Sequence, residues 1–358
     1  MPLEIRPYEG TAQDLSRFVV ENWLASYQGK MAVPDWTAEY FDWQMTGPLS
    51  ANRDSLISAW DGDKLVGTLL YMPFPLWVRG QEHPGCLGSW LTVAPEYRRH
   101  GVASLMSSAM RECQQQHGYY ARLGYAFQGA RISLGPRFWC RSAAKTQTLM
   151  LKPLRLWARV LNQAAVADWS NKTWERILLK LLPSVACQVA RPAQDVRVRP
   201  YERQDLATCQ ELINRQAQQA DLAMLWTEER LLRYLSYGSL AHTLVVERAG
   251  QVAGFLNYHL LRLHLRGSLL SAVIDMLACQ ELTAREVRAL LNTALRTMRD
   301  EQGVSLVLMR EFAGQPVGGL LNTRFLPQLA DSTLMLTGAT TEAAEELLQC
   351  KKVHVLWR

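Results

Sequence analysis

The chain has 358 residues, which is long for a single-core domain and fits about two domains of ~100–200 residues each. Apolar residues make up 48% of it and charged residues 20%, so its composition is that of a globular protein and excludes a disordered chain. The net charge of +6 includes no long basic run, which argues against nucleic acid as a partner and suits an anionic ligand.

The cysteines give no sign of a disulfide framework or a zinc site. They are odd in number and scattered, and no two of them form a CxxC pair: Cys86, Cys113, Cys140, Cys187, Cys209, Cys279 and Cys350. The opening "MPLEIRPYEG" lacks the pattern of a signal peptide, and no window reaches the ~18–20 apolar residues of a membrane span. We therefore expect a cytoplasmic protein with reduced thiols and no metal.

The first half of the chain predicts alternating strands and helices. In order, these are a short strand, a helix, a hairpin, a further strand and a long amphipathic helix: Glu4–Tyr8, Asp14–Tyr27, Ser55–Phe74, Gly88–Val93 and Val102–Gln116. The hairpin turns at "DGDK", whose residues are typical of tight turns.

The second half repeats the first. Four residue pairs mark the repeat in the same order, with offsets that fall from 193 to 185: Arg6 with Arg199, Trp36 with Trp226, Gly67 with Gly254, and Arg111 with Arg296. The elements repeat as well, and they are Arg197–Tyr201, Asp205–Gln219, the hairpin His242–Leu261, Ser271–Leu277 and Ala284–Gln302. Later strands follow at "VSLVLMREF" and "STLMLTG", and the alternating "KKVHVLWR" is expected to close the sheet.

The repeat predicts an α/β (α+β) fold of two tandem domains, residues 1–152 and 195–358, each a mixed, mostly antiparallel sheet flanked by helices. Residues 153–194 between them are predicted to be a helical linker, with Trp157, Trp169 and Trp174 on apolar faces and Lys or Arg on the others. We favour a connector packed against both domains. The alternative is a helix that lies on a membrane surface, because segments rich in Trp and basic residues bind there.

The stretch "VAPEYRRHGVASLMSSAM" joins the strand that ends at Val93 to the long helix. Pro95 ends the strand pairing, and the helix starts near Gly101. Free N–H groups and the positive dipole at a helix start bind anions, and glycine leaves room for a phosphate. Arg98, Arg99 and His100 add positively charged donors at the same place.

This segment resembles the acyl-CoA signature of the GNAT superfamily of N-acyltransferases, V-x-P-x-x-R-x-x-G-x-A, at Val93, Pro95, Arg98, Gly101 and Ala103. The resemblance extends over roughly residues 2–154. It implies that backbone N–H groups of the loop bind the CoA pyrophosphate, at Arg99, His100, Gly101, Val102, Ala103 and Ser104. It also implies that the pantetheine arm pairs with the preceding strand at Leu91, Thr92 and Val93.

The second copy lacks this loop. By the offset of 185, Glu286 stands where the first copy has Gly101, and Thr283 stands where it has Arg98. A carboxylate repels a pyrophosphate and fills its space, so we expect the second copy to be degenerate. Its expected role is to shape the acceptor pocket, to support the active domain, or both.

The groups that move protons are harder to assign. The resemblance implies a carboxylate on the strand before the loop, but Trp90 occupies that place, and the matching strand of the second copy has Asp275. Glu82, His83 or a relayed water are substitutes. The resemblance also suggests Tyr120, in "YYARLGYAF", as the acid that protonates the thiolate. The alternative, which we favour slightly, is that "GYYARLGYAF" is a strand, that "GARISLGPRFW" replaces a helix, and that Tyr120 is structural.

The expected activity is direct acyl transfer from acyl-CoA to the amine of a small molecule or peptide. Acetyl-CoA is the default donor, while a longer acyl chain or an acyl-carrier protein remains open. The acceptor is expected to enter between the domains, with Tyr40, Trp43 and Trp77 as candidate contacts, although such aromatic residues more often pack in cores. A rival hypothesis is a non-catalytic protein of the same fold that binds or senses acyl-CoA.

Overall fold

The structure is a computed structural model that describes residues 3–45, 53–127, 138–139, 141, 148–330 and 332–356. It contains two mixed, mostly antiparallel sheets flanked by helices, which confirms the predicted fold class. Within these ranges, none of the helices is both long and apolar enough to pass through a bilayer. The replacement of a helix by "GARISLGPRFW" falls on residues that lie almost entirely outside the described part.

The described residues of the first half form seven strands and three helices. The strands are β1 Glu4–Pro7, β2 Val33–Pro34, β3 Leu56–Asp61, β4 Lys64–Val78, β5 Gln81–Val93, β6 Ala121–Phe127 and β7 Thr148–Leu154. The helices are α1 Ala12–Tyr27, α2 Ala38–Met45 and α3 Val102–Gln116. Helix α3 has the predicted bounds, and its apolar positions, among them Met106 and Met110, are buried against the sheet.

The described residues from Leu156 onward form ten strands and seven helices. The strands are β8 Leu156–Val160, β9 Arg197–Pro200, β10 Leu222–Met224, β11 Ala241–Arg248, β12 Gln251–His264, β13 Ser268–Ala278, β14 Leu306–Arg310, β15 Leu326–Pro327, β16 Ser332–Gly338 and β17 Val353–His354. The helices are α4 Gln163–Trp169, α5 Thr173–Leu181, α6 Leu206–Ala217, α7 Glu228–Leu235, α8 Ala284–Arg296, α9 Val317–Asn322 and α10 Thr341–Leu348.

The connector differs from the prediction at its start. Residues Leu156–Val160 form strand β8, and the helices begin only at Gln163. The sequence did contain a signal, because Leu154, Leu156, Ala158 and Val160 alternate with larger or charged residues as in a strand. The predicted domain bounds stay a prediction.

Each sheet includes a strand from elsewhere in the chain. The first sheet has the order β1-β3-β4-β5-β6-β16-β7, so that β16 from the second half lies between β6 and β7. The second has the order β15-β8-β14-β13-β12-β11-β9, so that β8 from the connector lies between β14 and β15. Strands β10 and β17 also join the first sheet through β4, and β2 from the first half pairs with β12 of the second sheet, so the two halves exchange strands.

Helices α2 and α7, which occupy matching places in the two halves, meet at the interface. The indole of Trp43 donates to the carbonyl of Arg233 (3.0 Å), and its ring packs on Tyr234 at 4.9 Å. Arg233 in turn donates to the carbonyl of Asp42 (3.2 Å). These side chains belong to a buried cluster that draws residues from both halves, so the halves share one core.

The parallel strands β5 and β6 separate before they end. They pair at Gly85–Leu87 with Ala121–Leu123, but β5 continues to Val93 and β6 to Phe127 without further pairing to each other. Strand β5 also bulges near Trp90, whose φ is +56°, and its register with β4 shifts there. The gap lies at the end of β5 from which the chain enters the loop to α3.

Candidate functional site

The loop between β5 and α3 ends in a helix start with no side-chain cap. Residues Pro95–Tyr97 form one tight turn after β5, and the chain then reaches Gly101, which has φ +80° and precedes the first helical residue. Among the described residues, no side chain hydrogen-bonds the leading N–H groups of α3. Arg99, His100 and Ser104 are exposed around it. Uncapped donors, the helix dipole and basic side chains are the features that bind anions at helix starts.

Arg98 braces this loop instead of pointing freely into solvent. Its Nε donates to the carbonyl of Val93 (3.0 Å), and a terminal nitrogen donates to the hydroxyl of Ser26 on α1 (2.6 Å). The side chain is half-buried. Two of its donors are thus used within the protein, so the exposed charges beside Gly101 are those of Arg99 and His100.

The predicted pantetheine segment, Leu91–Val93, lies on β5 where β6 has moved away. Thr92 is buried, and its hydroxyl oxygen accepts a hydrogen bond from the indole of Trp23 (2.9 Å). Thr68 on β4 donates to the carbonyl of Trp90 (2.9 Å) and holds the bulge in place. The edge of β5 that β6 leaves unpaired is therefore held in a fixed shape.

Aromatic side chains pack behind the bulge. The ring of Trp90 lies 5.1 Å from that of Phe41, 6.2 Å from Trp36 and 6.3 Å from Tyr40. All four are at most 5% exposed. Tyr40 and Trp43 are therefore core residues, and Trp77 packs beside β10 at a different edge of β4. The structure does not bring these three acceptor candidates together on an open surface.

Tyr120 lies far from the loop. It directly precedes β6, and since Ala121 pairs with Gly85, it is about 25 Å along the strands from Val93. Its hydroxyl donates to Glu346, and its ring stacks on His83 at 4.0 Å. Burial, and after it the bond to Glu346, raises the pKa of Tyr120 well above its usual value. The strand at Ala121–Phe127 agrees with the structural alternative, and a catalytic role for Tyr120 stays a prediction that its position disfavours.

The second-half carboxylate Asp275 sits in a buried pair that the sequence did not predict. It occupies the bulge of β13, and its Oδ2 lies 2.5 Å from Nδ1 of His259 on β12. The two side chains are 3% and 1% exposed. The ring of His259 packs on those of Tyr40 and Trp43 from the first half. Asp275 is therefore occupied at the interface between the halves and is not a free base.

The matching helix start of the second half is closed by its own side chains. The carboxylate of Glu286 accepts from the N–H and the hydroxyl of Thr283 (both 2.8 Å), and Thr283 in turn caps the N–H of Glu286. Arg248 also binds Glu286 (2.6 Å). The bond to Arg248, followed by those to Thr283, lowers the pKa of Glu286 to about 2. The structure corrects the alignment by offset: Gly101 and Thr283 each directly precede their helix, so the fixed carboxylate of Glu286 stands in the first turn, where the first half has Ser104.

The strand before that helix start is occupied as well. The amide of Gln216 on α6 donates to the carbonyl of Leu277 (2.8 Å) and accepts from the N–H of Cys279 (3.0 Å). These backbone groups lie at the end of β13, where the pantetheine arm of an acyl donor would pair with the strand. A cavity of about 510 Å³ does lie nearby, between Cys279–Leu282, the start of α8 and the region of α9, and none of its lining residues is charged.

One group in the described part of the chain brings potential metal ligands together. The ligand atoms of Asp54, Cys113 and His117 lie within 4.8 Å of one another. His117 Nε2 is already 2.5 Å from the carboxylate of Asp54, and burial raises the pKa of the Cys113 thiol. A hydrogen-bonded Asp54–His117 pair beside a buried thiol accounts for the arrangement.

Known proteins share this fold, and one family model matches part of the chain. Residues 10–132 match the family described as an acetyltransferase (GNAT) domain, and no curated protein matches the chain. Saccharomyces cerevisiae N-myristoyltransferase with bound myristoyl-CoA shares 15% identity at a TM-score of 0.71, over 94% of this chain and 84% of that one. A GCN5-related N-acetyltransferase from Anabaena variabilis shares 12% at 0.58, over 96% and 74%. One from Kribbella flavida shares 18% at 0.53, over 93% and 71%.

The two lobes of mixed sheet, with a splayed strand pair and an uncapped helix start in the first, share the fold of these solved structures. Residues 10–132 match the GNAT domain family, as the loop signature predicted.

Proposed function

We propose that this protein is an acyl-CoA-dependent N-acyltransferase whose first half binds the donor. The contrast between the two helix starts carries the proposal. At Gly101 the first N–H groups of α3 have no side-chain cap, and Arg99 and His100 are exposed beside them. At the matching place, Glu286 caps its own helix and binds Arg248. A pyrophosphate meets donors and positive charge at the first start and a carboxylate at the second.

In this proposal the donor lies along β5 and the loop. Backbone N–H groups of Arg99–Ser104 bind the pyrophosphate, and the pantetheine arm pairs with Leu91–Val93 in the gap that β6 leaves. Arg98 fixes the loop against the end of β5 and α1. Arg99 and His100 supply charge near the phosphates. Backbone groups held in place in this way bind with little loss of entropy.

The reaction is a direct transfer. The amine nitrogen of the acceptor attacks the thioester carbonyl, the new C–N bond forms, and the C–S bond breaks. The ammonium intermediate loses a proton to solvent, and the CoA thiolate gains one. No side chain is acylated in this proposal. The acceptor is an amine of a small molecule or a peptide that enters between the lobes.

We take acetyl-CoA as the first donor, because Trp36, Tyr40, Phe41 and Trp90 fill the space behind the bulge and favour a short acyl group. Myristoyl-CoA is the second donor to test, since the yeast N-myristoyltransferase of similar fold binds it. An acyl-carrier protein that presents the same pantetheine arm is the third.

Calorimetric titration with acetyl-CoA and myristoyl-CoA tests the donor site. We expect Gly101→Glu, which places a carboxylate at the start of α3, to lose most of the binding. Gly118→Glu is the matched control, because Gly118 is an exposed glycine with φ +61° at the other end of α3. If neither donor binds, or if both variants bind like the wild type, the first-half loop is not the donor site.

The rival function is acyl-CoA binding without turnover. One observation favours it, since β5 carries Trp90 and no carboxylate between Gly88 and Val93. Product formation from acyl-CoA with a panel of amines decides between the two. Binding that depends on Gly101, with no product from any amine, would support the sensor.

A further inference from the structure

Helix α5 of the connector has an apolar face that is largely exposed. Trp174, Ile177, Leu178 and Leu181 follow the i, i+3, i+4, i+7 spacing of one helix face, and each is 54–74% exposed. Such a face is normally turned toward the core. Leu179, on the other side of the helix, is half-buried against the protein. The helix is therefore docked by one side and presents its more apolar side outward.

The exposed face continues beyond the helix. Leu182 and Val185 are also exposed, at 38% and 49%. We call the six residues Trp174, Ile177, Leu178, Leu181, Leu182 and Val185 the connector patch. Arg324 donates to the carbonyl of Val185 and holds the end of this segment against the second lobe. The patch is thus fixed to the body of the protein.

Basic side chains accompany the patch. Lys172 and Lys180 are exposed near the two ends of α5, and Arg176 is half-exposed between them. The acidic residue of the helix, Glu175, is occupied by Lys172 (2.7 Å) and by the hydroxyl of Ser170 (2.7 Å). The surroundings of the patch are therefore positively charged, as is the chain with its net +6.

We propose that the connector patch binds the protein to the surface of an anionic lipid bilayer. A helix with Trp and aliphatic residues on one side and Lys or Arg on the other lies in the interface with its apolar side among the acyl chains. Six residues are too few for a standard interface between two proteins, which uses ~20–30 residues a side. This inference goes beyond the proposed function and does not depend on it.

Co-sedimentation of the full chain with vesicles tests the proposal. We expect binding to vesicles of phosphatidylcholine with phosphatidylglycerol, weak binding to phosphatidylcholine alone, and loss of binding as salt rises. Leu181→Gln should weaken binding about tenfold, because it removes a large side chain from the lipid. Leu348→Gln is the matched control, since Leu348 is likewise the last residue of a short helix and is 56% exposed.

The double variant Ile177→Gln/Leu181→Gln should abolish sedimentation while leaving the circular dichroism unchanged. Three results would overturn the proposal: no binding of the wild type to anionic vesicles at low salt, equal binding to uncharged vesicles, or equal binding by Leu181→Gln and the wild type. Light scattering after size-exclusion chromatography tests the alternative occupant of the patch, which is a second copy of the chain. A dimer that Leu181→Gln dissociates would show that a second copy of the chain covers the patch.

Discussion

At the scale of single residues, the backbone conformation at position 101 is what favours a glycine there. Its φ of +80° is one that side-chain-bearing residues rarely adopt, and no atom lies within 4 Å of the position a Cβ would occupy. A side chain at position 101 would therefore be crowded by a bound phosphate and not by the protein itself. Arg99, two residues earlier, also has a positive φ of +69°. Such left-handed turns point successive N–H groups into one concave surface, which favours anion binding.

Arg98 is predicted to act by holding the loop. We expect Arg98→Ala to weaken acyl-CoA binding about tenfold, because it removes charge-assisted bonds to Val93 and Ser26. Ser26→Ala removes one of these partners and should have a smaller effect. Calorimetric titration measures both variants, with thermal unfolding as a check on folding. If Arg98→Ala binds acyl-CoA as tightly as the wild type, the backbone alone maintains the shape of the loop.

The parts of the site that could be predicted from the sequence are those whose residues lie close together in the chain. The spacing of Val93, Arg98 and Gly101 lies within one short segment, so the sequence predicted the loop and the start of α3. The partners of these residues are remote. Ser26 reaches Arg98, and His259 reaches Asp275, through the packing of separate elements, and no spacing in the sequence indicates such contacts.

At the scale of elements, helices α3 and α8 occupy matching places in the two halves, but their first turns are built differently. Thr283 and Glu286 form a reciprocal cap on α8, whereas α3 begins behind an uncapped glycine. A cap of this kind stabilises by about 0.5–2 kcal/mol. Helix α3 therefore forgoes local stability at its start, and the free donors are what a ligand can use.

The cap of α8 should make stability depend on pH. The pKa of Glu286 is lowered from 4.5 to about 2, so the charged carboxylate stabilises the fold above about pH 4.5, and this contribution is lost as the pH falls toward 2. We expect Glu286→Gln to lower the free energy of unfolding by about 1 kcal/mol at pH 7, with a difference that shrinks below pH 4.5. Urea unfolding over this range measures it.

Glu228→Gln is the control for that experiment, because Glu228 is an exposed residue in the first turn of α7. It should change stability little at any pH. A deficit of Glu286→Gln that is undiminished at pH 2 would mean that the side chain acts through its shape and not through its charge.

Element existence was more predictable than element pairing. The hairpins, helix α3 and the strand "STLMLTG" follow from periodicity and turn residues, because these depend on neighbours in the sequence. Periodicity gives the faces of a strand but not its partner. The insertion of β16 between β6 and β7, and of β8 between β14 and β15, could not be predicted for that reason.

At the scale of the whole molecule, the exchange of strands makes the lobes interdependent. Residues 1–155 contain β6 and β7 but not β16, which joins them, whereas residues 156–358 contain every main strand of the second sheet. We expect the fragment 1–155 alone to show no cooperative unfolding, and to regain it when mixed with 156–358. Near-ultraviolet circular dichroism during urea unfolding measures this, and a sharp transition of 1–155 by itself would contradict it.

The same exchange has a consequence for how the protein is made. At about 5–20 residues per second, the ribosome needs on the order of 10–40 s to reach Gly338 after it has made Leu154. During this time β6 and β7 have been synthesised but lack the strand between them, and unpaired strand edges invite association with other chains. The first lobe to leave the ribosome thus waits for β16 before its own sheet can close.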